Sequence, residues 1–560
     1  MKPLHLAAAF FAIASGAYAL DGNYGIHDPS TVIESNGKWF TWGTGGSGLM
    51  SEDGWTWTNG PRAGRSGMAP DVIHVGDRYY VYAAGNPGGQ PHAEINMAWS
   101  KSLDPNSPDC KWTDAGLVVS TDGVEDCNGI DPGAFLDPTT GKMWLTYGSY
   151  FGYIRVVELD PKTGKRVNPG QKAKFYDLAI NCEASTMIYE NGWYYLLATH
   201  GSCCQGANSG YNIRVGRSRK PTGPFVDDNG LDMIKGGGKL FAGSGERVVG
   251  PGHFGREILE KGVEKFSCHY EADLNHGGSV LDIRPLLWKD GWPVAGYNMK
   301  SGTYEIESVR TGTALGIAVE PVQVGGGRGG GGFGGGGGGR GGARGAGGRG
   351  GPGGGGFPGG GFPGAGAPGG APPAGFDPAQ AGAPALAAGG ATDAANSTNA
   401  PGGRGGRGGR GGGGGFGGRG GGGPTPDQDV AQVSTNWPTG NIDIRMNNYL
   451  LQAQQKWTVT ALTNSGGYLG SPYFKITIAA TDRALATTAD GELTTVPSFT
   501  GAPEQLWRLD QLTDGAWRIM PKVTPNSKEP MAVSAVGSSF ATLAKFDPNS
   551  NQQRWLFNNP

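Results

Sequence analysis

The chain runs to 560 residues, enough for two or three domains, and its 46 Lys plus Arg nearly balance its 48 Asp plus Glu. That balance gives no electrostatic reason to expect nucleic acid or another polyanion as a partner. Beyond residue 19, no stretch is long and apolar enough to suggest a membrane span.

Residues 1–19 read as an export signal. Lys2 supplies the positive start, Leu4 to Ala14 an apolar run too short to cross a bilayer, and Ala17-Tyr18-Ala19 a small-x-small cleavage site. A secreted or periplasmic protein is expected. All six cysteines (Cys110, Cys127, Cys182, Cys203, Cys204 and Cys268) lie in the first 270 residues, where export would let them oxidise. Cys110 with Cys127 is the expected pair, and Cys203-Cys204 forms a vicinal set. No Cys-x-x-Cys and no paired Cys/His spacing occurs, so structural zinc is not expected.

Residues 20–300 alternate aromatic and β-branched runs with Asn-Gly, Asp-Gly and Asp-Pro punctuation, and no long segment has helical periodicity. One unit recurs. An acid opens an apolar strand at Asp28, Asp131 and Glu183; a tight turn follows at Asn36-Gly37, Thr140-Gly141 and Asn191-Gly192, and then an aromatic-rich strand. Two further copies, Ala69-Pro70-Asp71-Val72 and Ile283-Arg284-Pro285-Leu286, lack the acid at that place. Five units predict an all-β, five-bladed β-propeller, whose radial repetition removes most exposed strand edges. Equivalent positions in a ring converge on its axis, so three carboxyl groups are expected to meet there.

Residues 301–324 resume the strand pattern and are read as the first strands of a second domain. From 325 to 424 the composition collapses to Gly, Ala, Pro and scattered Arg, which cannot bury apolar area to offset ordering entropy, so disorder is expected. Arg-Gly-Gly boxes can bind RNA, but an exported chain favours a flexible spacer. Residues 425–560 carry Gln-x-Trp triplets ending at Trp457, Trp507 and Trp555. Ala314-Leu315, Ala484-Leu485 and Pro530-Met531 precede them, and three such units resemble the ricin-type β-trefoil. On this pairing the Gly-rich tract interrupts the first trefoil repeat, which loop-closure entropy tolerates because it grows slowly with length. The alternative is a two-repeat remnant beyond an ordinary linker. The residues after the leucine-like positions, Gly316, Ala486 and Ala532, are not the aspartate common in ricin-type sugar sites, so a structural role stands beside lectin binding.

Glycoside hydrolysis needs two carboxyl groups in opposite protonation states, and a third nearby can raise the acid's pKa. The propeller segment contains, in order, Tyr24-Gly25-Ile26-His27-Asp28-Pro29-Ser30, Ala69-Pro70-Asp71-Val72, Asn128-Gly129-Ile130-Asp131-Pro132, Gly148-Ser149-Tyr150-Phe151-Gly152-Tyr153-Ile154, Cys203-Cys204 with Asn208-Ser209, Gly250-Pro251-Gly252-His253 and His269-Tyr270-Glu271-Ala272-Asp273. These stretches carry a resemblance to family 43 glycoside hydrolases, and within them to the endo-α-1,5-L-arabinanases.

It implies an inverting enzyme with Asp28 as general base, Glu183 as general acid and Asp131 as modulator and orienter of the acid. Gly89, Asn128, Gly129, Ile130, Asp131, Ser149, Tyr150 and Phe151 would line the substrate. His269 would reach a calcium or other ion on the axis, and no organic cofactor is expected. The implied partner is plant cell-wall polysaccharide, arabinan or pectin side chains, acted on by a monomer. Tyr150-Phe151 stands where the family usually has Phe-Trp, Ala184-Ser185 where it has Ala-Pro, and Met68 where an aromatic is common. An exo-acting α-L-arabinofuranosidase or β-xylosidase on the same fold, or a non-catalytic carbohydrate-binding protein, are the competing readings.

Overall fold

The computed structural model describes residues 20–85, 92–121, 127–169, 174–245, 247–275, 277–319 and 437–560. The export signal, Gly89 and the Gly-rich tract lie outside them. Between residues 20 and 300 five sheets follow one another in chain order, antiparallel throughout except where Asp21–Gly22 pairs parallel with Thr56–Gly60. Their innermost and second strands are Ile33–Ser35 with Lys38–Trp42, Met68–Val75 with Arg78–Gly85, Gly133–Leu136 with Met143–Tyr147, Glu183–Glu190 with Trp193–His200, and Val248–Gly252 with Val263–Asp273. Asn36-Gly37 and Asn191-Gly192 both hold positive φ at their two turn positions, the geometry that matches the twist of a tight hairpin.

The sheets close into a propeller, and the packing shows how. Phe40, Trp42, Val72 and Val81 fill the space between the first and second blades. Tyr82, Met97, Leu145 and Val157 fill the next gap, Trp144, Val156, Leu196 and Phe225 the third, and Leu197, Val215, Phe266 and Leu286 the fourth. Trp55 and Trp57 of the first blade pack on Leu281 and Ile283 of the fifth, which completes the ring. Backbone bonds from Ile26 to Ser279 (3.1 Å) and from Leu281 to Tyr24 (2.9 Å) stitch the same seam. Asp71 is a structural hub at the centre. Its carboxylate accepts from Thr31 Oγ1 (3.0 Å), from the Ala134 amide (2.8 Å) and from the Arg256 guanidinium, linking four blades.

Two expectations are corrected here. The fifth unit is not Ile283 to Leu286, which lie on the third strand of their blade, Val280–Lys289. Its innermost strand is Val248–Gly252, and the matching turn is Lys261-Gly262, again with positive φ at both positions. Asp290-Gly291 has the same turn geometry two hairpins further out, between the third and fourth strands, which is why the sequence repeat slipped. Cys110 and Cys127 do not form a disulfide. Cys127 is sealed in the core between the second and third blades, whereas Cys110 sits in a half-exposed turn.

The second half is a β-trefoil with its own core, in which Trp457, Trp507 and Trp555 are fully buried. Each indole donates to a carbonyl: Trp457 Nε1 to Leu315 (2.8 Å), Trp507 Nε1 to Leu485 (2.9 Å) and Trp555 Nε1 to Val533 (2.9 Å). The third repeat therefore aligns at Ala532-Val533 and not at Pro530-Met531. A slip of two residues keeps the same face of a strand, so the apolar pattern alone did not separate them. Gln455, Gln505 and Gln553 each accept an amide from the preceding loop, those of Leu450, Thr500 and Asp547. Gly302–Ser308 pairs with Lys456–Tyr468 and Trp555–Asn558, and Ala314–Ile317 pairs with Ile442–Asn447.

The trefoil docks on the first and fifth blades through buried charge. Arg508 forks onto Glu260 and also bonds Asp510, which Arg518 Nε reaches at 2.8 Å and Lys265 Nζ at 3.3 Å. The Gly467 amide donates to the Asp53 carboxylate (2.9 Å), and backbone bonds join Gly470 to Gly54 (3.0 Å) and Trp288 to Thr513 (2.8 Å).

Candidate active site

One non-glycine residue in or beside the innermost strand of each blade adopts the left-handed conformation: Asp28 (φ 49°), Ala69 (43°), Asp131 (54°), Ala184 (49°) and His253 (55°). Such a conformation costs about 1–2 kcal/mol for an L-residue and persists only where the surroundings enforce it. The recurring left-handed residue is thus architectural, and the acids exploit it. Asp28 and Asp131 occupy that position themselves, whereas Glu183 stands one residue earlier, beside Ala184. The three acids are therefore not in one register, and the extra methylene of glutamate accompanies that offset.

Three histidines surround Asp28. His27 Nδ1 lies 2.9 Å from Asp28 Oδ2, which also accepts from Thr44 Oγ1 at 2.7 Å. His253 Nδ1 and His269 Nδ1 lie 3.7 and 3.8 Å from Asp28 Oδ1. Burial alone would raise the Asp28 pKa, but the imidazoles of His253, His27 and His269 beside it hold it well below the usual carboxylate range. His27 is raised to about 10 by its bonds to Asp28 and Glu271, so it bridges them as an imidazolium.

The other two acids move the opposite way. Asp131 is buried and accepts the Ala184 amide on Oδ2 at 3.2 Å. Burial, then the charges of Glu183 and Asp28, push it well above the usual range. Burial also raises Glu183, against hydrogen bonds from Tyr211 Oη to Oε1 and from Ser149 Oγ to Oε2 (2.8 Å). The coupled pair keeps a proton where an exposed carboxylate has lost its own. Of the two, Glu183 is the half-buried one and Asp131 the enclosed one.

Among the other expected lining residues, Asn128 is fully buried, the Gly129 amide bonds Thr121 Oγ1 (3.1 Å), and Ile130 belongs to the core between two blades. Ser149 is buried against Glu183. Tyr150 and Phe151 are 39% and 55% exposed, large aromatic surfaces left open beside the acid. Tyr211 was not singled out from sequence, although it stands only one glycine beyond the Asn208-Ser209 stretch. Gly252 makes room for it, since a Cβ there would lie 2.7 Å from the Tyr211 ring. Cys203 and Cys204 form a disulfide, and the Cys204 amide bonds Glu271 Oε2 at 2.9 Å.

Ligand atoms of His27, His269 and Glu271 lie within 4.8 Å of one another. Glu271 is held to about 2, since bonds from His269 and His27 outweigh its burial, so it presents ionised oxygen, the donor that a hard cation prefers. His269 fits less well. Its Nδ1 accepts the Asp28 amide at 2.8 Å, which places the proton of the neutral ring on Nε2, 3.3 Å from Glu271 Oε1. As bonded, His269 is a donor toward the axis and not a direct ligand.

An ionised carboxylate and a protonated one, brought to the axis of a propeller, are the equipment of a glycoside hydrolase. The family model for glycosyl hydrolases family 43 matches residues 28–293, and that for the ricin-type β-trefoil lectin-like domain matches 453–544. An extracellular endo-α-(1→5)-L-arabinanase of Bacillus subtilis (strain 168) is 31% identical over 310 residues, covering 50% of this chain and 91% of the relative. An extracellular exo-α-(1→5)-L-arabinofuranosidase of Cellvibrio japonicus is 29% identical, over 51% of this chain and 90% of its own length. Among solved structures, a family 43 endo-arabinanase from Bacillus licheniformis matches at 30% identity with a TM-score of 0.45, over 50% of this chain and all of its own. The chain belongs to glycosyl hydrolase family 43.

Proposed function

We propose that this chain cleaves internal α-1,5-L-arabinofuranosidic bonds of arabinan with inversion at the anomeric carbon. The carrying observation is the opposed electrostatics of the acids: Asp28 is kept ionised among three imidazoles, while burial raises Glu183 and Asp131, which together keep a proton. Asp28 takes a proton from the attacking water as that water adds to the anomeric carbon. Glu183 gives its proton to the departing glycosidic oxygen as the bond to carbon breaks, and Asp131 holds and tunes it. Tyr150 and Phe151 offer faces on which furanose rings stack. Relatives named for both endo and exo action support arabinan and leave the cleavage pattern to experiment.

Export, the 325–424 tract as an insertion in the first trefoil repeat, and action as a monomer belong to the same proposal. A cation at the axis would be held by Glu271 and water, with His269 bonding to that water; no step above passes through it. The test is digestion of linear arabinan with early NMR of the products. A ladder of oligosaccharides with inverted reducing ends is expected. Arabinose alone would replace the endo reading with the exo one, and retained reducing ends would remove Asp28 from its role.

A further inference from the structure

A second aromatic site lies at the junction of propeller and trefoil, in a groove of about 270 Å³ lined by Tyr297, Lys300, Tyr304, Gln511, Trp517 and Phe557 among others. Tyr304 and Trp517 meet the Phe557 ring edge to face at 80° and 68°, with centroids 5.6 and 5.9 Å away, so the three rings form one aromatic cluster in its lining. Tyr297 is 64% exposed, an unusual state for so large a ring, and Arg284 lies 4.7 Å from its centroid.

The groove is held in shape by both domains. Gln511 Oε1 accepts the Tyr297 amide at 2.9 Å, and Tyr304 Oη donates to the Lys300 carbonyl at 2.9 Å. A Cβ at Gly296 would lie 2.7 Å from Gln511 Oε1, and one at Gly302 would lie 3.2 Å from the Tyr304 ring. Both glycines thus permit the close approach. No Asp or Glu lines the groove, and one lysine edges it. Aromatic walls with a few polar groups fit the alternating CH faces and hydroxyls of an uncharged sugar chain. The trefoil's own repeat positions after Leu315, Leu485 and Val533 are Gly316, Ala486 and Ser534, which offer no carboxylate for sugar hydroxyls.

We propose that this groove is a secondary binding site for a neutral pentose oligosaccharide, namely a distant stretch of the polymer being cleaved. The proposal rests on the arabinan reading above. Holding a second stretch of one chain raises the effective concentration of the first at the catalytic cleft without new contacts there.

Affinity electrophoresis of the full chain in gels containing linear arabinan tests it, with Glu183→Gln as background so that the polymer is not consumed. Tyr297→Ala and Trp517→Phe, the latter retaining a ring against the barrel, are each expected to weaken retention about three- to tenfold. In the active chain, each variant is expected to turn over arabinotriose within about twofold of the parent, because the groove shares no lining residue with the surroundings of the three acids. If the parent cleaves arabinan but both variants are retained as strongly as it is, the groove proposal alone falls. If the parent neither cleaves nor binds arabinan, the functional reading falls and the groove falls with it.

Discussion

Asp131 Oδ2 accepts the backbone amide of Ala184 at 3.2 Å, so one blade holds the bulge that carries the next blade's acid. This ties position to electrostatics. Burial and repulsion from the Glu183 carboxylate push Asp131 well above the usual range, and that repulsion is mutual, so the carboxyl that fixes the chain beside Glu183 also resists loss of the proton the two share. Asp131→Asn keeps an acceptor for the amide but removes the charge. Turnover is expected to drop roughly 10²-fold, with the alkaline limb of the pH–rate profile moving down because Glu183 then ionises more easily. Stopped assays across pH check it; an unmoved limb would leave Asp131 a purely structural role.

Tyr211 and Ser149 act on the same acid in the other direction. Both donate to Glu183 and favour its ionised form. Tyr211→Phe is expected to raise the Glu183 pKa further, shifting the alkaline limb up while lowering kcat about tenfold through lost orientation. A pH–kcat series on the purified variant reads both effects.

The wild-type profile follows from the signs of the shifts. Asp28 must be ionised, and its depressed pKa places the acidic limb below the ordinary carboxylate range. Glu183 must carry its proton, and its raised pKa places the alkaline limb above that range. A bell whose limbs straddle the usual carboxylate values is expected from kcat/KM measured against pH.

At the trefoil junction, Asp510 is buried among Arg508, Arg518 and Lys265, whose charges outweigh burial and hold its carboxyl well below the usual range. A depressed folded-state pKa contributes stability above the unfolded-state value near 4, and that stability is lost as pH falls through the folded-state pKa. Asp510→Asn leaves three buried cations short of one carboxylate and is expected to destabilise by about 3–5 kcal/mol. Thermal unfolding followed by tryptophan fluorescence at neutral pH checks the value. Repetition in acid should show the parent approaching the variant.

The ring was legible in the sequence because blade hairpins repeat in phase and their Asn-Gly turns are explicit. The trefoil was legible because Trp457, Trp507 and Trp555 each need a carbonyl partner at a fixed place in the repeat. The slips have physical causes. Period-two strands tolerate a two-residue shift, which misplaced the third trefoil repeat, and Lys261-Gly262 forms the same turn as Asn-Gly without its signature. Candidate acids were visible as residues, but the environment that sets their protonation was not. His27, His253 and Tyr211 reach the centre from three different blades, and only the closed ring brings those blades together.

Linear arabinan offered to the parent and to Glu183→Gln is the most direct test of the central claim. The account predicts an oligosaccharide ladder from the parent and at least about a 10²-fold loss of turnover in a variant that stays folded and still binds the polymer. Turnover at the parent's rate in the variant would contradict it.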